Sequence, residues 1–183
     1  NEIFNTPFSL KVINHKDENK IYTKLDIDSV NFKIENIYNY NYAVGGWFFI
    51  HKQPPSAKVN NNKFTSILNF ADKPNILYNV KNNELKVTVN EKSIFVTNKI
   101  KLQKWNYILI NYKASTMDIF INSKLVSTTD NILPEMKNRN ITTGAANGVS
   151  GGICNIVYYP NPLGIDEITL NYKALKLKSP PVV

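Results

Sequence analysis

Short segments with the residue pattern of β-strands, separated by turn residues, dominate this sequence. Apolar and polar residues alternate over residues 21–27 and 30–37, as in strands with one buried face and one solvated face. Residues 47–50 are instead continuously apolar, which predicts a central strand that is covered on both faces. The other segments with a strand pattern are residues 8–13, 64–70, 75–80, 84–89, 93–97, 105–112, 116–121, 124–129 and 151–159.

About a dozen strands with almost no helix leave few architectures for a chain of 183 residues. Only Ile165, Ile168 and Tyr172 fall at helical spacing, and they predict about two turns of helix. We therefore expect an all-β fold, a two-sheet antiparallel jelly-roll sandwich. Residues 1–176 are predicted to form one domain, followed by a flexible C-terminal tail at residues 177–183.

The formal net charge of +8 raises the question of an anionic partner. All but one of the 22 basic residues are Lys, and the exception is Arg139. Nucleic-acid sites favour Arg, whose planar guanidinium binds phosphate and guanine through two parallel hydrogen bonds. The lysines are also spread along the chain among acidic residues, so we expect a solvated surface and no nucleic-acid partner. A functional anionic partner is the alternative.

Several classes of protein are excluded by the composition. A single Cys rules out a disulfide scaffold and multi-Cys metal sites within the chain. No apolar stretch approaches the roughly 18 residues that a membrane span needs, so we expect no membrane insertion by this fragment. The sequence starts at Asn1 without a leader, and we interpret it as part of a longer chain that carries any anchor elsewhere.

Three motifs follow one another in the second half of the chain. They are Trp-Asn-Tyr-Ile at residues 105–108, Asp-Ile-Phe-Ile-Asn-Ser-Lys-Leu-Val at 118–126, and a Gly-led strand with its closing element at 152–168. Upstream, Trp47 lies in a strand segment of its own. In order and spacing, these motifs resemble the laminin G-like branch of the concanavalin A-like lectin/glucanase superfamily.

The resemblance implies the same jelly-roll sandwich and places Trp47 and Trp105 in its core. Where the family's hairpin usually reads Asn-Gly, this chain has Asn122-Ser123, a less favourable pair for two residues at positive φ. The abundance of Asn, Lys, Ile and Tyr and the segment at residues 74–77 are similar to laminin G-like proteins of large DNA viruses. That likeness implies a virion surface, and the extracellular surface of a cell is the alternative.

Enzyme motifs are sparse. Family glucanases use carboxylates on one face of a strand, and retaining hydrolysis needs two carboxyl groups about 5 Å apart. Asp166 and Glu167 are adjacent in sequence, so their side chains diverge on either a strand or a helix. Cys154 lies among apolar residues, which is typical of a buried, inert thiol. We therefore expect no catalytic residues and no enzymatic activity.

The most ligand-like pattern is a set of alternating tyrosines. Tyr38, Tyr40 and Tyr42 share one face if the segment is extended, with asparagines between them. Aromatic rings and amide groups suit sugar rings and hydroxyl pairs, so we predict a ligand-binding set of these tyrosines with Asn147 and Ser150. The alternative is that the tyrosines fill a half-buried sheet face at the rim of the sandwich.

Laminin G-like domains often carry a calcium ion at the sandwich rim, which requires several oxygen ligands, usually including an Asp. Asp72 and Asp130 are the metal-ligand candidates, with Asn147 and the carbonyl groups of residues 148–150 as further contributors. No compact acidic loop accompanies them. We expect no cofactor, and calcium is the alternative.

These observations predict a non-catalytic binding or adhesion module with a glycan or protein partner, displayed on a virion or extracellular surface. The favoured ligand is a glycan. The alternative is a structural virion or surface-assembly protein that packs against protein neighbours and binds no sugar. A hydrolase is the third and least favoured hypothesis.

Overall fold

The computed structural model describes residues 8–11, 40–52, 63–134, 140–145 and 148–182. The strands predicted at residues 21–27 and 30–37 lie outside the described residues. Within the described ranges, no helix is long and apolar enough to cross a membrane.

Eleven strands and one helix form the described structure, which confirms the all-β, two-sheet antiparallel sandwich. The strands are β1 (Phe8–Lys11), β2 (Tyr42–Ile50), β3 (Phe64–Phe70), β4 (Asn75–Asn79), β5 (Glu84–Val89), β6 (Lys92–Thr97), β7 (Trp105–Lys113), β8 (Thr116–Ile121), β9 (Lys124–Thr129), β10 (Asn140–Thr143) and β11 (Gly151–Tyr159). The helix is α1 (Ile165–Leu175). Sequence patterning predicted each of these strands except β10.

The two sheets differ in size and in strand order. One has six strands in the order β1-β10-β3-β4-β5-β6, and the other has five in the order β11-β2-β7-β8-β9. In the five-stranded sheet, β2 lies between β11 and β7 and pairs antiparallel with both. The continuous apolar run at residues 47–50 therefore belongs to an inner strand, as predicted.

Residues of β2 alternate between two separate cores. Tyr42, Val44, Phe48 and Ile50 face the six-stranded sheet and join the main core between the sheets. Ala43 and Trp47 point to the outer face of the sheet, where they join a second, smaller core with α1. Because both faces are covered, β2 is apolar on both.

Helix α1 packs on the outer face of the five-stranded sheet through Ile168 and Leu175, both buried. Its start is fixed by Glu167, whose Oε2 accepts a hydrogen bond from the Gly164 N–H at 2.7 Å. The buried side chain of Asn111 in β7 bonds both backbone groups of Leu163, at 2.9 and 3.0 Å. The predicted helix is confirmed, although it runs for 11 residues rather than two turns.

The β8–β9 hairpin turns through Asn122 (φ 51°) and Ser123 (φ 63°), both in the left-handed region. Asn122 suits this turn because its Oδ1 accepts a hydrogen bond from the Tyr107 N–H at 2.9 Å. Ser123 has no such compensation for its Cβ at positive φ.

We predict that Ser123→Gly raises the free energy of unfolding by about 1 kcal/mol, because glycine adopts positive φ without steric cost. Urea denaturation followed by tryptophan fluorescence measures the change. Ser127→Gly in β9 is the matched control. It should lower the free energy of unfolding, because a glycine in a strand relieves no strain and increases the conformational entropy of the unfolded chain. Equal effects of the two substitutions would contradict the strain argument.

Candidate functional site

A cleft of about 400 Å³ lies between α1 and the outer face of the five-stranded sheet. Strands β2, β7 and β11 supply one wall, and α1 with the residues after it supplies the other. Its lining residues are Gly45, Trp47, Tyr107, Asn155, Val157, Tyr159, Asn171, Ala174, Leu175 and Lys178. We call this the α1 cleft. Its size falls within the usual range for small-ligand sites.

A β-bulge in β11 shapes the sheet wall of the α1 cleft. The register shifts between Cys154, which pairs with Trp47, and Val157, which pairs with Gly45. Two residues of β11 therefore oppose the single residue Gly46. One of the two is Asn155, which has φ 49° and lines the cleft. The bulge thus adds an amide side chain to a mostly apolar wall.

Trp47 is the largest side chain of this wall and is only 1% exposed. Its ring stacks on Tyr172 of α1, with centroids 5.5 Å apart and an interplanar angle of 11°. Tyr107 packs beside it at 5.1 Å. The indole Nε1 is buried and has no hydrogen-bond partner among the described residues. An unpaired buried donor of this kind costs about 1–3 kcal/mol.

The polar groups of the helix wall come from Asn171 and Lys178. Asn171 donates a hydrogen bond from Nδ2 to the Tyr159 hydroxyl at 3.2 Å. Burial raises the pKa of Tyr159, and the nearby Glu167 carboxylate adds to this, so the phenol stays neutral. Lys178 donates from Nζ to the Val182 carbonyl at 3.1 Å. Among its described lining residues, the α1 cleft has a cation and no carboxylate.

The predicted tyrosine patch does not form as proposed. Tyr42 is fully buried in the main core, and its hydroxyl donates to the Lys73 carbonyl. The prediction that Tyr42 binds a ligand is therefore wrong, because its ring packs against Phe70, Tyr112 and Tyr158 instead of solvent. Tyr40 is 39% exposed at the rim. Tyr38 lies outside the described residues.

Ser150 lies at the opposite end of β2 from Tyr40. The Ser150 carbonyl accepts a hydrogen bond from the His51 N–H at 3.1 Å, just beyond the end of β2. Nine strand residues at about 3.3 Å each separate the two rims by roughly 30 Å. Asn147 lies outside the described residues. The predicted ligand-binding residues that the structure describes therefore do not converge on one site.

The two predicted metal ligands serve separate turns. Asp72 has φ 59° in the β3–β4 turn, and its Oδ1 accepts hydrogen bonds from the side-chain amides of Asn69 and Asn75 at 3.3 and 3.4 Å. Asp130 accepts from the Thr116 hydroxyl at 3.0 Å, after β9. The described part of the chain holds no group of three or more His, Cys, Asp or Glu arranged around a metal site.

Sequence reasoning did not identify the α1 cleft. The predicted core position of Trp47 is confirmed, while Trp105 is only half-buried and packs edge-on to Phe49 at 5.5 Å. The assignment of Trp47 to the core did not address hydrogen bonding by its indole N–H, which has no partner among the described residues. Asn155, a polar residue within an apolar strand segment, was the available signal for the cleft.

Solved structures of several binding proteins and enzymes share this fold. A mutant Trypanosoma rangeli sialidase displaying trans-sialidase activity matches with a TM-score of 0.59 and 14% identity, over 74% of this chain and 23% of that chain. The binding domain of botulinum neurotoxin DC, in complex with rat synaptotagmin II, matches with a TM-score of 0.58 and 17% identity, over 76% and 37%.

At these identities the likeness shows a shared β-sandwich fold, and this chain spans well under half the length of either protein. Another neighbour is Trypanosoma rangeli sialidase in complex with 2,3-difluorosialic acid, with a TM-score of 0.59 and 13% identity, over 76% of this chain and 23% of that chain. No protein-family model matches the sequence, and no curated protein sequence matches it.

The bulge gives a matched pair of glycine substitutions. A Cβ at Gly45 would overlap the Ile108 carbonyl oxygen and lie 2.8 Å from Leu109 Cδ1, so backbone would have to move. A Cβ at Gly46 would lie 3.2 Å from Ile156 Cγ1, a milder contact. We predict that Gly45→Ala loses about 3 kcal/mol of stability and Gly46→Ala about 1 kcal/mol, as measured by urea denaturation. The reverse order would contradict this description of the strand pairing.

Cys154 provides a pH-dependent prediction. Burial raises the pKa of its thiol to about 11, and Sγ contacts the carbonyl of the buried Pro181 at 3.6 Å. Only about one thousandth of the thiol is then ionised at pH 8. The rate of iodoacetamide labelling should therefore rise about tenfold per pH unit from pH 7 to 9.5. A rate that levels off near pH 9 would show an ordinary, solvated thiol.

Proposed function

We propose that this domain is a non-catalytic binding module and that the α1 cleft binds a glycan. The observation that carries the proposal is the composition of the cleft: aromatic rings and two side-chain amides line a pocket of about 400 Å³. Largely apolar pockets with a few fixed polar groups are the usual form of small-ligand sites. Sugars match this mixture because their rings have apolar faces and polar edges.

The fold neighbours support a binding role of either kind. One solved structure is Trypanosoma rangeli sialidase in complex with 2,3-difluorosialic acid, and another is the toxin binding domain with synaptotagmin. These neighbours support a β-sandwich that presents a ligand-binding site. The identity of the ligand has to be argued from the residues that line the α1 cleft.

We also propose that this domain has no catalytic activity. None of the described residues that line the α1 cleft is Asp, Glu or His. Glu167, whose carboxylate raises the pKa of the lining residue Tyr159, is engaged in capping α1 at the Gly164 N–H. General acid–base hydrolysis of a glycosidic bond uses a pair of carboxyl groups, which these lining residues do not supply.

We further propose that the domain belongs to the laminin G-like branch of the concanavalin A-like superfamily and is displayed on a virion or cell surface. The sequence motifs described above support the family, and the Asn- and Lys-rich composition supports the viral setting. Weak sites become effective on such a surface because many copies bind together.

Binding by the α1 cleft is tested with a glycan array and a blocking variant. Ala174 is exposed on α1 and lines the cleft, so Ala174→Trp should fill it and reduce glycan binding at least tenfold. Lys173→Trp is the matched control, because its site is the preceding exposed position of the same helix and does not line the cleft. This control should bind as the wild type does.

The array is run at high salt, to screen the +8 net charge, and with and without calcium. Saturable binding that resists salt and is lost only in Ala174→Trp supports the proposal. Binding that disappears with salt, or that both variants retain, contradicts the cleft as the site. Dependence on calcium would instead indicate a metal site, for which Asp72 is a candidate ligand.

A structural role is the second candidate, and one observation favours it. Leu170 and Leu177 are 68% and 90% exposed, on and just after α1, which is unusual for large apolar side chains. A domain that assembles with protein neighbours would use such a surface. If no glycan binds, a molar mass above 20.9 kDa in light scattering, reduced to the monomer by Leu170→Ser with Leu177→Ser, would support this role.

A further inference from the structure

The fold collects exposed lysines at one end of the sandwich, the end at which β2 ends. The β6–β7 loop meets this end, since the Gln103 N–H donates to the Ile50 carbonyl at 2.9 Å. The β4–β5 turn reaches the same end, because Asn83 Nδ2 donates to the Ile100 carbonyl of that loop at 3.3 Å. These lysines are scattered in the sequence, and only the fold brings them together. We call this end the basic rim, and its exposed lysines are Lys52, Lys81, Lys99, Lys101 and Lys104.

Acidic side chains lie elsewhere. Among the described residues of the basic rim, the only acid is Glu84, whose carboxylate accepts a hydrogen bond from Asn82 Nδ2 at 3.3 Å. At the opposite end of the sandwich, Lys73, Lys92 and Lys113 are offset by acids of the neighbouring turns. The described acids other than Glu84 lie at that opposite end, on β8 or on α1: Asp72, Glu91, Asp118, Asp130, Asp166 and Glu167.

A buried asparagine fixes the loop that carries three of these lysines. Asn106 is 0% exposed, and its Nδ2 donates to the carbonyls of Lys101 and Lys104 at 2.8 and 3.0 Å. Its Oδ1 accepts from the Lys101 N–H at 3.3 Å. Ile100 anchors the same loop in the main core. The loop backbone is therefore held in place while its lysine side chains stay exposed, which reduces the ordering cost when a partner binds.

Aromatic and apolar side chains accompany the lysines. Trp105 is half-buried at the start of β7 and packs edge-on to Phe49, with centroids 5.5 Å apart. Phe49 in turn packs against His51 at 5.0 Å. Leu102 is 39% exposed in the β6–β7 loop, among the lysines. Lys, Trp and Leu on one surface are typical of proteins that bind at a membrane interface, where Lys meets anionic headgroups and Trp lies at headgroup level.

Other anionic partners fit the basic rim less well. Nucleic-acid recognition favours Arg, and the described residues of this rim carry Lys instead. A polyanionic glycan would pair with the lysines, but a polar chain gains little from the exposed Leu102. An anionic bilayer offers charge to the lysines and an apolar layer to Leu102 and Trp105, so it matches both properties of the surface.

We propose that the basic rim docks on the anionic surface of a phospholipid bilayer. The lysine ammonium groups lie against headgroup phosphates and carboxylates, while Leu102 and the exposed part of Trp105 enter the boundary between headgroups and acyl chains. Each Lys close to such a surface strengthens binding roughly fivefold. The residues of this rim do not line the α1 cleft, so the inference goes beyond glycan binding and does not depend on it.

Vesicle flotation with the purified domain tests the contact. The probes are vesicles of phosphatidylcholine alone and vesicles of equal parts phosphatidylcholine and phosphatidylserine. We expect binding to the mixed vesicles only, and its loss at high salt. Tryptophan emission should shift to the blue on binding through Trp105, because Trp47 is only 1% exposed and is already shielded from water. Trp105→Phe should abolish this shift.

Two double variants separate the basic rim from the net charge. Lys101→Gln with Lys104→Gln should weaken binding about 25-fold, fivefold for each lysine. The matched control, Lys92→Gln with Lys113→Gln, removes the same charge from exposed positions at the opposite end and should weaken binding less than about twofold. Leu102→Ser keeps the charge and should weaken binding about fivefold, because it removes the apolar contact.

Three results would overturn the proposal. The first is no binding to the mixed vesicles, and the second is an equal loss in the two double variants, which would show that net charge alone matters. The third is binding of dextran sulfate, a soluble polyanion, that exceeds vesicle binding and is unaffected by Leu102→Ser. That result would indicate a polyanionic partner in place of a bilayer. None of the three affects the glycan-binding test with Ala174→Trp.

Discussion

The burial of β2 on both faces is the constraint on which the rest of the structure depends. Its inner residues hold the two sheets together, while Ala43 and Trp47 on its outer face form the base for α1. Gly45 and Gly46 interrupt these side chains where β7 and the β11 bulge come close. Both glycines therefore allow tight strand pairing, and Gly45, which lines the α1 cleft, also leaves room for it.

Much of the fold follows from residue periodicity. Alternation predicts most of the strands, and the unbroken apolar run at residues 47–50 predicts an inner strand, because such a run is stable only where both faces are covered. The exception, β10, has four residues and only one large apolar side chain, Ile141. Its pairing with β1 and β3 decides its conformation, and periodicity over four residues cannot show that.

The candidate site was far less accessible to sequence reasoning than the fold. Alternation places Tyr40 and Tyr42 on one face of an extended segment, but it does not say whether that face meets solvent or the opposite sheet. For Tyr42 it meets the opposite sheet. The α1 cleft depends on a helix packing against strands more than 50 residues away, as the bonds between Asn111 and Leu163 show. Such pairings are set by tertiary packing, and no local pattern encodes them.

Both the main core and the helix–sheet interface contain buried polar groups with partners and buried polar groups without them. Within the main core, Tyr42 donates to the Lys73 carbonyl, so the hydroxyl of a fully buried side chain is satisfied internally. At the helix–sheet interface, Asn111 is likewise satisfied, by both backbone groups of Leu163. Trp47 shares that interface and lines the cleft, yet its N–H is left without a described partner. The hydroxyls of Tyr112 and Thr143 are likewise buried without a partner among the described residues, so an unpaired buried atom does not by itself mark a binding site, and the case for the α1 cleft rests on its size and its lining residues.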